Sequence, residues 1–317
     1  EMIPAAKPFT GVVVGEVLTV EQHPDADRLR ITTVNIGTAE TLQIVCGAPN
    51  VRVGMKAPVA TIGAVLPGDF KIKKGKLRGI ESQGMLCGAS EIDLEDKIDG
   101  LLELPSDAPV GINIREYLNL DDHVIDISIT PNRGDCFSIR GIAREIAVIN
   151  QLAVTEPVIT AVAATISDEK KVVVDTDGCP RYLGRVIKNV NTKAATPAWM
   201  EQALARSGMR QHSILVDITN YVLIELGQPL HAFDAAKVQG AVHVRQATAA
   251  EKLVLLNEQE VELQDNVMVI ADDEKALAMA GIMGGLSSSV TDETTEIFLE
   301  SAFFAPLAIA GRARRYG

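Results

Sequence analysis

The sequence lacks the features that mark a membrane or secreted protein. No apolar run reaches the roughly 18 residues that a membrane-spanning helix needs. The first residues, Glu1-Met2-Ile3-Pro4, show no basic region followed by an apolar core, so we do not expect them to form a signal peptide. Hydrophobic residues make up 47% of the chain and charged residues 23%, which is typical of a globular protein. We therefore expect a cytoplasmic protein that does not associate with membranes.

Cysteines are few, and none has the spacing of a metal or redox site. The four of them, Cys46, Cys87, Cys136 and Cys179, lie far apart, so there is no C-x-x-C pair. Buried free thiols in a reducing cytoplasm are the favoured interpretation. His231 and Asp234 are three residues apart, but no third ligand follows nearby in the sequence, so we expect no metal.

The chain also lacks an excess of positive charge: 30 lysines and arginines against 42 aspartates and glutamates give a net charge of −12. This argues against broad, nonspecific binding of nucleic acid, because proteins that neutralise many phosphates are usually basic. One local exception is a run of five cationic residues: Lys71, Lys73, Lys74, Lys76 and Arg78. Such a run is usually a solvated surface, and only Phe70 lies nearby as an aromatic for base stacking. Contact with nucleic acid through these five residues and simple solvation both stay open.

Repeats and low-complexity tracts are absent, and one apparent phosphate motif fails its context. Gly281-x-x-Gly284-Gly285 resembles a phosphate-binding loop. The segment after it, Leu286–Thr295, is rich in Ser and Thr and shows no helical pattern. A dinucleotide-binding or P-loop interpretation needs a helix at that point, so we reject it.

The first third of the chain has the pattern of a small β-barrel. Five β-branched runs are separated by turn residues: Gly11–Val20, Leu29–Ile36, Thr41–Cys46, Ala57–Val65 and Lys71–Cys87. Five short strands favour an OB-fold, the commonest five-stranded barrel. The pattern alone also allows an SH3-like barrel or a small sandwich.

The remainder has a mixed α and β pattern. A strand is predicted at Val124–Thr130, a helix from the apolar spacing of Ile139 to Ile149, and a linker at Ala161–Ser167. Further helices are predicted after Thr196-Pro197, after an N-cap at Asp217, and from Ala305-Pro306. The predicted strands are Ala241–Arg245, Lys252–Leu256, Asn266–Ala271, Ala276–Met283 and Glu296–Leu299.

Four stretches in the first part resemble a tRNA-binding OB domain. They are His23-Pro24-Asp25-Ala26-Asp27-Arg28-Leu29, Val45-Cys46-Gly47-Ala48-Pro49-Asn50, Lys76-Leu77-Arg78-Gly79 and Gly84-Met85-Leu86-Cys87. Such a domain occurs in the beta chain of bacterial phenylalanyl-tRNA synthetase, in methionyl-tRNA synthetases and in free-standing tRNA-binding proteins. These stretches do not choose among them.

Stretches in the remainder distinguish among these three classes of protein, because they are similar to the beta chain of bacterial phenylalanyl-tRNA synthetase. They are Thr130-Pro131-Asn132-Arg133-Gly134-Asp135, Cys179-Pro180-Arg181-Tyr182, Asp217-Ile218-Thr219-Asn220-Tyr221-Val222, Gly227-Gln228-Pro229-Leu230-His231-Ala232-Phe233-Asp234 and Glu300-Ser301-Ala302-Phe303-Phe304. The resemblance implies an α+β multidomain chain that is a truncated fragment. The expected parts are an OB-fold tRNA-binding domain at 5–118, a connecting segment (a partial B1 domain) at 119–168, and a mixed α/β B3/B4 editing domain at 169–317.

The resemblance also implies a function and partners. The expected function is tRNA binding and hydrolysis of mischarged Tyr-tRNA(Phe), within a class II ligase that charges tRNA(Phe) with phenylalanine. The alpha chain would carry the aminoacylation site in an α2β2 enzyme. We expect no cofactor in this fragment, and ATP and Mg²⁺ in the whole enzyme.

Six residues are assigned to the editing site by the resemblance. Its catalytic residues would be His231, Glu300, Thr219 and Asn220, and its substrate-binding residues Gly284, Pro229 and Glu300. The residues alone favour local roles: capping or pairing for Glu300, a turn for Gly284 and a histidine in a loop for His231. For Thr219, a capping role is as good as a role in the site. Two other functions stay open: a tRNA-binding module without catalysis, and an unrelated hydrolase with Glu300 and His231 as acid and base.

Overall fold

The computed structural model describes residues 1–94 and 99–316. The chain forms two compact units, Glu1–Ile127 and Ser128–Gly317. The boundaries expected near 118 and 168 stay predictions, and residues 95–98 of the expected first domain lie outside the described residues. Over the described ranges, no helix has both the length and the apolar character needed to cross a membrane.

The first unit is built mainly from short strands. They are β1 (Met2–Pro4), β2 (Thr10–Gln22), β3 (Arg30–Asn35), β4 (Leu42–Cys46), β5 (Lys56–Leu66), β6 (Phe70–Lys71), β7 (Gly75–Leu77), β8 (Ile80–Ser82), β9 (Gly84–Leu86) and β10 (His123–Ile125). One short helix, α1 (Ile114–Tyr117), and a 3₁₀ turn at Ser90–Ile92 accompany them.

An antiparallel sheet in the order β4-β3-β2-β5-β6, with β9 also paired to β5, gives the first unit a barrel-like shape. The long strand β2 carries Val12, Val14 and Val17 into the core and contains two register shifts. Such bulges bend and twist a strand, which lets one strand serve both sides of a curved sheet. Hydrogen bonds from Gln83 N–H to the Gln43 carbonyl (2.8 Å) and from Val45 N–H to Ser82 Oγ (3.1 Å) nearly close it. The predicted small β-barrel is confirmed in the coarser form of a nearly closed antiparallel sheet, and its assignment as a five-stranded OB-fold stays a prediction.

The last predicted strand of the barrel, Lys71–Cys87, is wrong as a single element. The structure divides it into the ends of β6, the hairpin β7–β8 and the separate strand β9. Arg78 and Gly79 form the two-residue loop of the hairpin, with φ of 46° and 88°. The sequence did not predict this chain reversal. Gly79 is typical of such a two-residue loop, but Arg78 is not, since Asn or Asp is the usual residue before the glycine.

The second unit contains both helices and strands. They are α2 (Ile139–Asn150), β11 (Val172–Val174), β12 (Arg181–Lys188), α3 (Ala198–Arg206), α4 (Ile214–Leu226), β13 (Leu230–Asp234), β14 (Val242–Gln246), β15 (Lys252–Val254), β16 (Glu260–Glu262), β17 (Met268–Ala271), β18 (Ala276–Met279), β19 (Met283–Gly284), β20 (Glu296–Phe303) and α5 (Pro306–Ile309). Short 3₁₀ turns lie at Gly134–Cys136, Ala235–Lys237, Leu286–Ser288 and Ala313–Arg315.

Two sheets form the centre of the second unit. One has the order β11-β14-β17-β18-β19, and the other has the order β12-β20-β13. Phe233 and Phe298 from the smaller sheet are almost fully buried and share a core with Val242, Met268 and Leu277 of the larger sheet region. The predicted mixed α/β content is therefore confirmed.

Two predicted features of the helices need correction. Asp217 is not an N-cap: α4 begins at Ile214 after Ser213, and Asp217 lies buried in its first turn. Its carboxylate accepts hydrogen bonds from Thr196 Oγ1 (2.7 Å) and from the backbone N–H of His212 (3.0 Å). Thr196 therefore ties two helices together and does not cap α3, which follows Pro197.

Strand β20 is longer than the predicted Glu296–Leu299. It continues to Phe303 because it is hydrogen-bonded on both sides, to β12 and to β13. Glu300 consequently lies inside the central strand of the smaller sheet and not at a strand end. The predicted strand Ala276–Met283 is likewise divided into β18 and β19 by a turn, and Val124–Thr130 shortens to β10.

Candidate functional site

The smaller sheet of the second unit places three positions side by side. Glu300 on β20 lies opposite Gly184 of β12 and opposite His231 of β13. Directly opposed residues of neighbouring strands project to the same face of a sheet. The pairing therefore brings together Glu300 and His231, which are 69 positions apart in sequence.

Glu300 is a buried carboxyl group that accepts a hydrogen bond from the neighbouring strand β12. Its Oε2 accepts a hydrogen bond of 2.7 Å from the Tyr182 hydroxyl. Burial raises the pKa of Glu300 to about 7, although the hydrogen bond from Tyr182 acts in the opposite direction. Near neutral pH, a carboxyl group with this pKa is present in both the neutral and the ionised form. The neutral form can donate a hydrogen bond to a ligand, and the ionised form can accept one.

His231 is a buried neutral imidazole. Burial lowers its pKa to about 4. Its ring packs edge-on against Phe233, with 4.4 Å between the centroids, and it has no hydrogen bond to Glu300. Over residues 1–94 and 99–316, its Nε2 is the only fully buried side-chain nitrogen or oxygen without a partner. An unsatisfied polar atom of this kind is costly in a folded protein, and functional sites are where such atoms are retained.

Gly284 on β19 makes room for the imidazole. A Cβ atom at this position would lie 2.5 Å from His231 Cε1 and 3.0 Å from Nε2. Real Cβ contacts are essentially never that short, so any larger residue would displace the ring or the strand. The short distance between the Gly284 backbone and the His231 ring therefore requires glycine at this position, and a role in a turn is not needed to explain it.

These residues line a cavity of about 470 Å³. Pro229, His231, Gly284 and Glu300 all contribute to its wall, which brings together four of the six residues assigned from the sequence. The rest of the wall is mostly apolar and includes Phe303 and Phe304. Glu300 and His231 are the ionisable side chains among the described residues that line it.

Thr219 and Asn220 lie on α4 and do not line this cavity. The Thr219 hydroxyl donates a 2.8 Å hydrogen bond to the Val216 carbonyl within the helix. Their catalytic assignment stays a prediction that the cavity wall does not support. The helix contributes to the site by position, since it ends at Gly227 shortly before β13 begins.

One group in the second unit has the donor types of a metal site. Ligand atoms of Asp135, Cys136 and Glu145 lie within 4.8 Å of one another. The Arg133 guanidinium already contacts all three, at 3.2 Å from Asp135, 3.2 Å from the Cys136 sulfur and 2.6 Å from Glu145. The arrangement is a surface ion-pair cluster around an arginine, and it does not point to a bound cation.

In the first unit, the five predicted tRNA-contacting residues are all exposed. Lys71 ends β6, Lys73 and Lys74 follow it, and Lys76 and Arg78 belong to the β7–β8 hairpin. Lys74 forms an ion pair of 2.7 Å with Glu81, so part of its charge is already compensated. We call this set of five residues the basic hairpin.

The basic hairpin borders a groove of about 680 Å³. Lys73, Leu77 and the exposed Phe70 line one part of it. His23 anchors the hairpin: its Nδ1 accepts the Asp25 N–H at 3.1 Å, and its Nε2 lies 3.2 Å from the Leu77 carbonyl. Because Nδ1 is an acceptor, Nε2 carries the proton and donates to Leu77.

Comparisons with known proteins identify the family to which the chain belongs. Residues 178–317 match the family model "B3/4 domain", and residues 12–113 match the family model "Putative tRNA binding domain". The phenylalanine–tRNA ligase beta subunit of Acinetobacter baylyi is 80% identical over all 317 residues, and that of Psychrobacter arcticus is 63% identical over 98% of the chain. The chain belongs to the phenylalanine–tRNA ligase beta-subunit family.

The chain spans 40% of the length of these beta subunits. A solved N-terminal fragment of the phenylalanyl-tRNA synthetase beta-subunit from Pyrococcus horikoshii has 16% identity and a TM-score of 0.35, over 56% of this chain and 55% of that chain. A score this low does not establish a common fold. The resemblance seen in the sequence is nevertheless confirmed by the beta-subunit relatives.

Sequence reasoning missed Tyr182 as the hydrogen-bond partner of Glu300. The residue belongs to β12, a strand that the pattern did not predict, and it meets Glu300 only through the pairing of β12 with β20. A weak signal was present, because residues 181–188 include Tyr182, Val186 and Ile187, which are residue types that favour strands. The glycine in that series hides the strand, since glycine is depleted in strands.

Proposed function

We propose that the chain binds tRNA(Phe) through its first unit and hydrolyses mischarged Tyr-tRNA(Phe) in the cavity of its second unit. The observation that carries the proposal is the placement of Glu300 and His231 on the wall of an otherwise mostly apolar cavity. The family membership supports it, because the named relatives are subunits of a phenylalanine–tRNA ligase.

The carboxyl group of Glu300 gives the cavity a way to prefer tyrosine. Tyrosine differs from phenylalanine by one hydroxyl group, and an apolar pocket discriminates such a pair weakly, by about 10²-fold. A buried polar group that pairs with the hydroxyl is left unpaired by phenylalanine, and sites of that kind discriminate by about 10⁴–10⁵. Glu300 supplies such a group at the wall of the cavity.

His231 suits a positioning role in the hydrolysis. With a pKa lowered to about 4 by burial, its imidazole is neutral near pH 7 and a weak base. A neutral imidazole can accept a hydrogen bond from water or from a ribose hydroxyl and can orient either against the ester. The reaction is then attack of water on the ester carbon, which releases tyrosine and tRNA.

The basic hairpin supplies the charge that RNA binding requires on an otherwise acidic chain. Its cations are exposed and border the groove beside Phe70. Phosphate contacts by such side chains position a nucleic acid without reading its sequence. We therefore assign Lys71, Lys73, Lys74, Lys76 and Arg78 to the tRNA interface.

In the whole enzyme, we propose that this chain works beside an alpha chain in an α2β2 class II ligase of the cytoplasm. The alpha chain would carry the aminoacylation site with its ATP and Mg²⁺. The cavity described above would then correct that site's errors without taking part in charging.

The test is deacylation of Tyr-tRNA(Phe) and Phe-tRNA(Phe) by the α2β2 enzyme and by its His231→Ala variant. We expect rapid hydrolysis of the tyrosyl ester only, and slower hydrolysis in the variant with unchanged phenylalanine charging. tRNA binding without hydrolysis would support a noncatalytic binding module. Turnover of small esters without preference for tRNA would support an unrelated hydrolase that uses Glu300 and His231.

A further inference from the structure

Tyr182 and Glu300 form a phenol–carboxyl pair behind the cavity wall. Glu300 lines the cavity, whereas Tyr182 is not part of its lining. The hydroxyl reaches Oε2 at 2.7 Å from the neighbouring strand β12. Tyr182 thus holds the carboxyl group from the side away from the space that a ligand would occupy.

The backbone geometry explains why this contact is diagonal. Tyr182 is paired with Ala302 and Gly184 is paired with Glu300, so Tyr182 and Glu300 are diagonal neighbours on one face. Gly184 has no side chain to separate them, and its place is filled by the Phe298 ring, which a Cβ there would approach to 2.2 Å. The Tyr182 ring lies nearly parallel to Phe298, with 6.5 Å between the centroids. Its position is therefore fixed by packing.

The second carboxyl oxygen of Glu300 is left for a ligand. Over residues 1–94 and 99–316, Tyr182 is the side chain that donates to Glu300, and it uses Oε2. Oε1 has no such donor, yet it is not among the buried atoms without a partner, so it is open to the cavity. One oxygen is held by the protein and the other is presented to the ligand.

We propose that Tyr182 is a positioning residue for substrate discrimination: its hydroxyl fixes Glu300 so that Oε1 accepts the hydroxyl group of a tyrosyl ester. The proposal rests on the proposed function, since it concerns how the same cavity would prefer tyrosine. In this arrangement the Glu300 carboxylate accepts hydrogen bonds from two phenol groups, that of Tyr182 and that of the substrate.

The pair also controls the charge of Glu300. The hydrogen bond from Tyr182 favours the ionised form and opposes the effect of burial on the pKa of Glu300. The other titratable groups that face Glu300 are His231 on β13 and Cys179 before β12. Burial keeps the imidazole neutral and raises the pKa of the Cys179 thiol, so neither brings charge near pH 7. Tyr182 is thus the main protein group that keeps Glu300 a strong acceptor.

The experiment compares Tyr182→Phe with the wild-type α2β2 enzyme from about pH 6 to 9. The measured quantity is the ratio of deacylation rates for Tyr-tRNA(Phe) and Phe-tRNA(Phe). We expect the preference for tyrosine at pH 7 to fall by about tenfold, and the midpoint of its rise with pH to move up by about one unit. Tyr221→Phe is the matched control, because it removes a phenol that binds Glu225 on α4. That variant should keep the wild-type profile.

A second measurement does not depend on the editing reaction. The Glu300 carboxyl carbon can be titrated by NMR in the 317-residue chain. Its pKa should be higher in Tyr182→Phe than in the wild type. An unchanged titration and an unchanged rate profile would overturn the proposal, as would equal loss of both esters with a lowered melting temperature. A wild-type enzyme without any tyrosine preference would instead overturn the proposed function, and the titration would still test the pair.

Discussion

The basic hairpin of the first unit presents its charges to water, whereas the cavity of the second unit withdraws two ionisable groups from it. Exposed cations such as Lys73 and Lys76 are solvated and screened, so each contributes a small, salt-dependent amount. Glu300 and His231 are desolvated, and burial moves the pKa of one up and that of the other down. Changes at the hairpin should therefore be small and additive, and changes at the cavity large and specific. Four experiments test this contrast.

The largest effect is expected from Gly284→Ala. The added Cβ would lie 2.5 Å from His231 Cε1, so the ring or the strand must shift. Displacement of a positioning group by about 1 Å can cost about 10²-fold in rate, so we expect a loss of that size in hydrolysis of Tyr-tRNA(Phe). Gly134→Ala is the control, because a Cβ there meets nothing within 4 Å. Equal behaviour of the two variants would show that the imidazole does not need its present position.

A smaller but more selective effect is expected from Glu300→Ala. Loss of a hydrogen bond to a charged group is worth roughly 1.5–3 kcal/mol, which corresponds to about one to two powers of ten in rate. Hydrolysis of the tyrosyl ester should fall while that of the phenylalanyl ester does not, so the ratio of the two rates collapses. The melting temperature is measured alongside. A preserved tyrosine preference in a stably folded variant would contradict the assignment of Glu300.

The pH dependence of stability should show the opposite shifts of the two buried groups. The pKa of Glu300 is raised from 4.5 to about 7 by burial, so its contribution to stability is fully present below pH 4.5 and is lost as the pH rises through 7. The pKa of His231 is lowered from 6.5 to about 4 by burial, so its contribution is present above pH 6.5 and is lost as the pH falls through 4.

Glu300→Gln separates the two contributions. Glutamine does not ionise, so the variant lacks the loss of stability at high pH that Glu300 causes and keeps the loss at low pH that His231 causes. At pH 8 we expect the variant to be more stable than the wild type by about 1–3 kcal/mol, and the difference should vanish near pH 4. The measurement is denaturant unfolding at a series of pH values. A difference that does not change with pH would mean that Glu300 has an ordinary pKa in the folded protein.

The smallest effects are expected at the basic hairpin. Lys73→Ala and Lys76→Ala should each lower the slope of log K for tRNA against log salt by about 0.7–0.9. Lys74→Ala should lower it less, because Lys74 is already paired with Glu81. Lys252, an exposed lysine of the second unit, is the control. Identical slopes for all four variants and the wild type would remove the hairpin from the tRNA interface.

The contrast between the two sites also explains what the sequence could predict. The basic hairpin is a local run, so composition alone revealed its charge, although its reversal at Arg78 was missed. The helix α2 was predicted from its apolar spacing, yet Ile139, Ile146 and Ile149 are exposed while Gly141 and Ala147 on the same helix are buried. Helical period determines that an element forms, but not which face becomes covered.

The cavity could be predicted only through family resemblance. Glu300 faces His231 and Tyr182 because three strands are paired in one register. That register depends on contacts between distant segments, since Glu300 lies 69 positions from His231 and 118 positions from Tyr182. Propensity also pointed the wrong way, since Glu300-Ser301 interrupts the apolar alternation and suggested a strand end. Pairing on both sides overrides that preference, as tertiary context commonly does.

The loop of the basic hairpin limits which substitutions are favourable at its tip. Arg78 and Gly79 both have positive φ, which is the backbone of a type I′ turn. Asn or Asp followed by Gly suits such a turn best, and an arginine in the left-handed region costs about 1 kcal/mol or more. Replacing Arg78 with Asn would make the hairpin fold better while removing a cation from its tip. Selection for a more stable barrel and selection for a charged one therefore oppose each other at this single position.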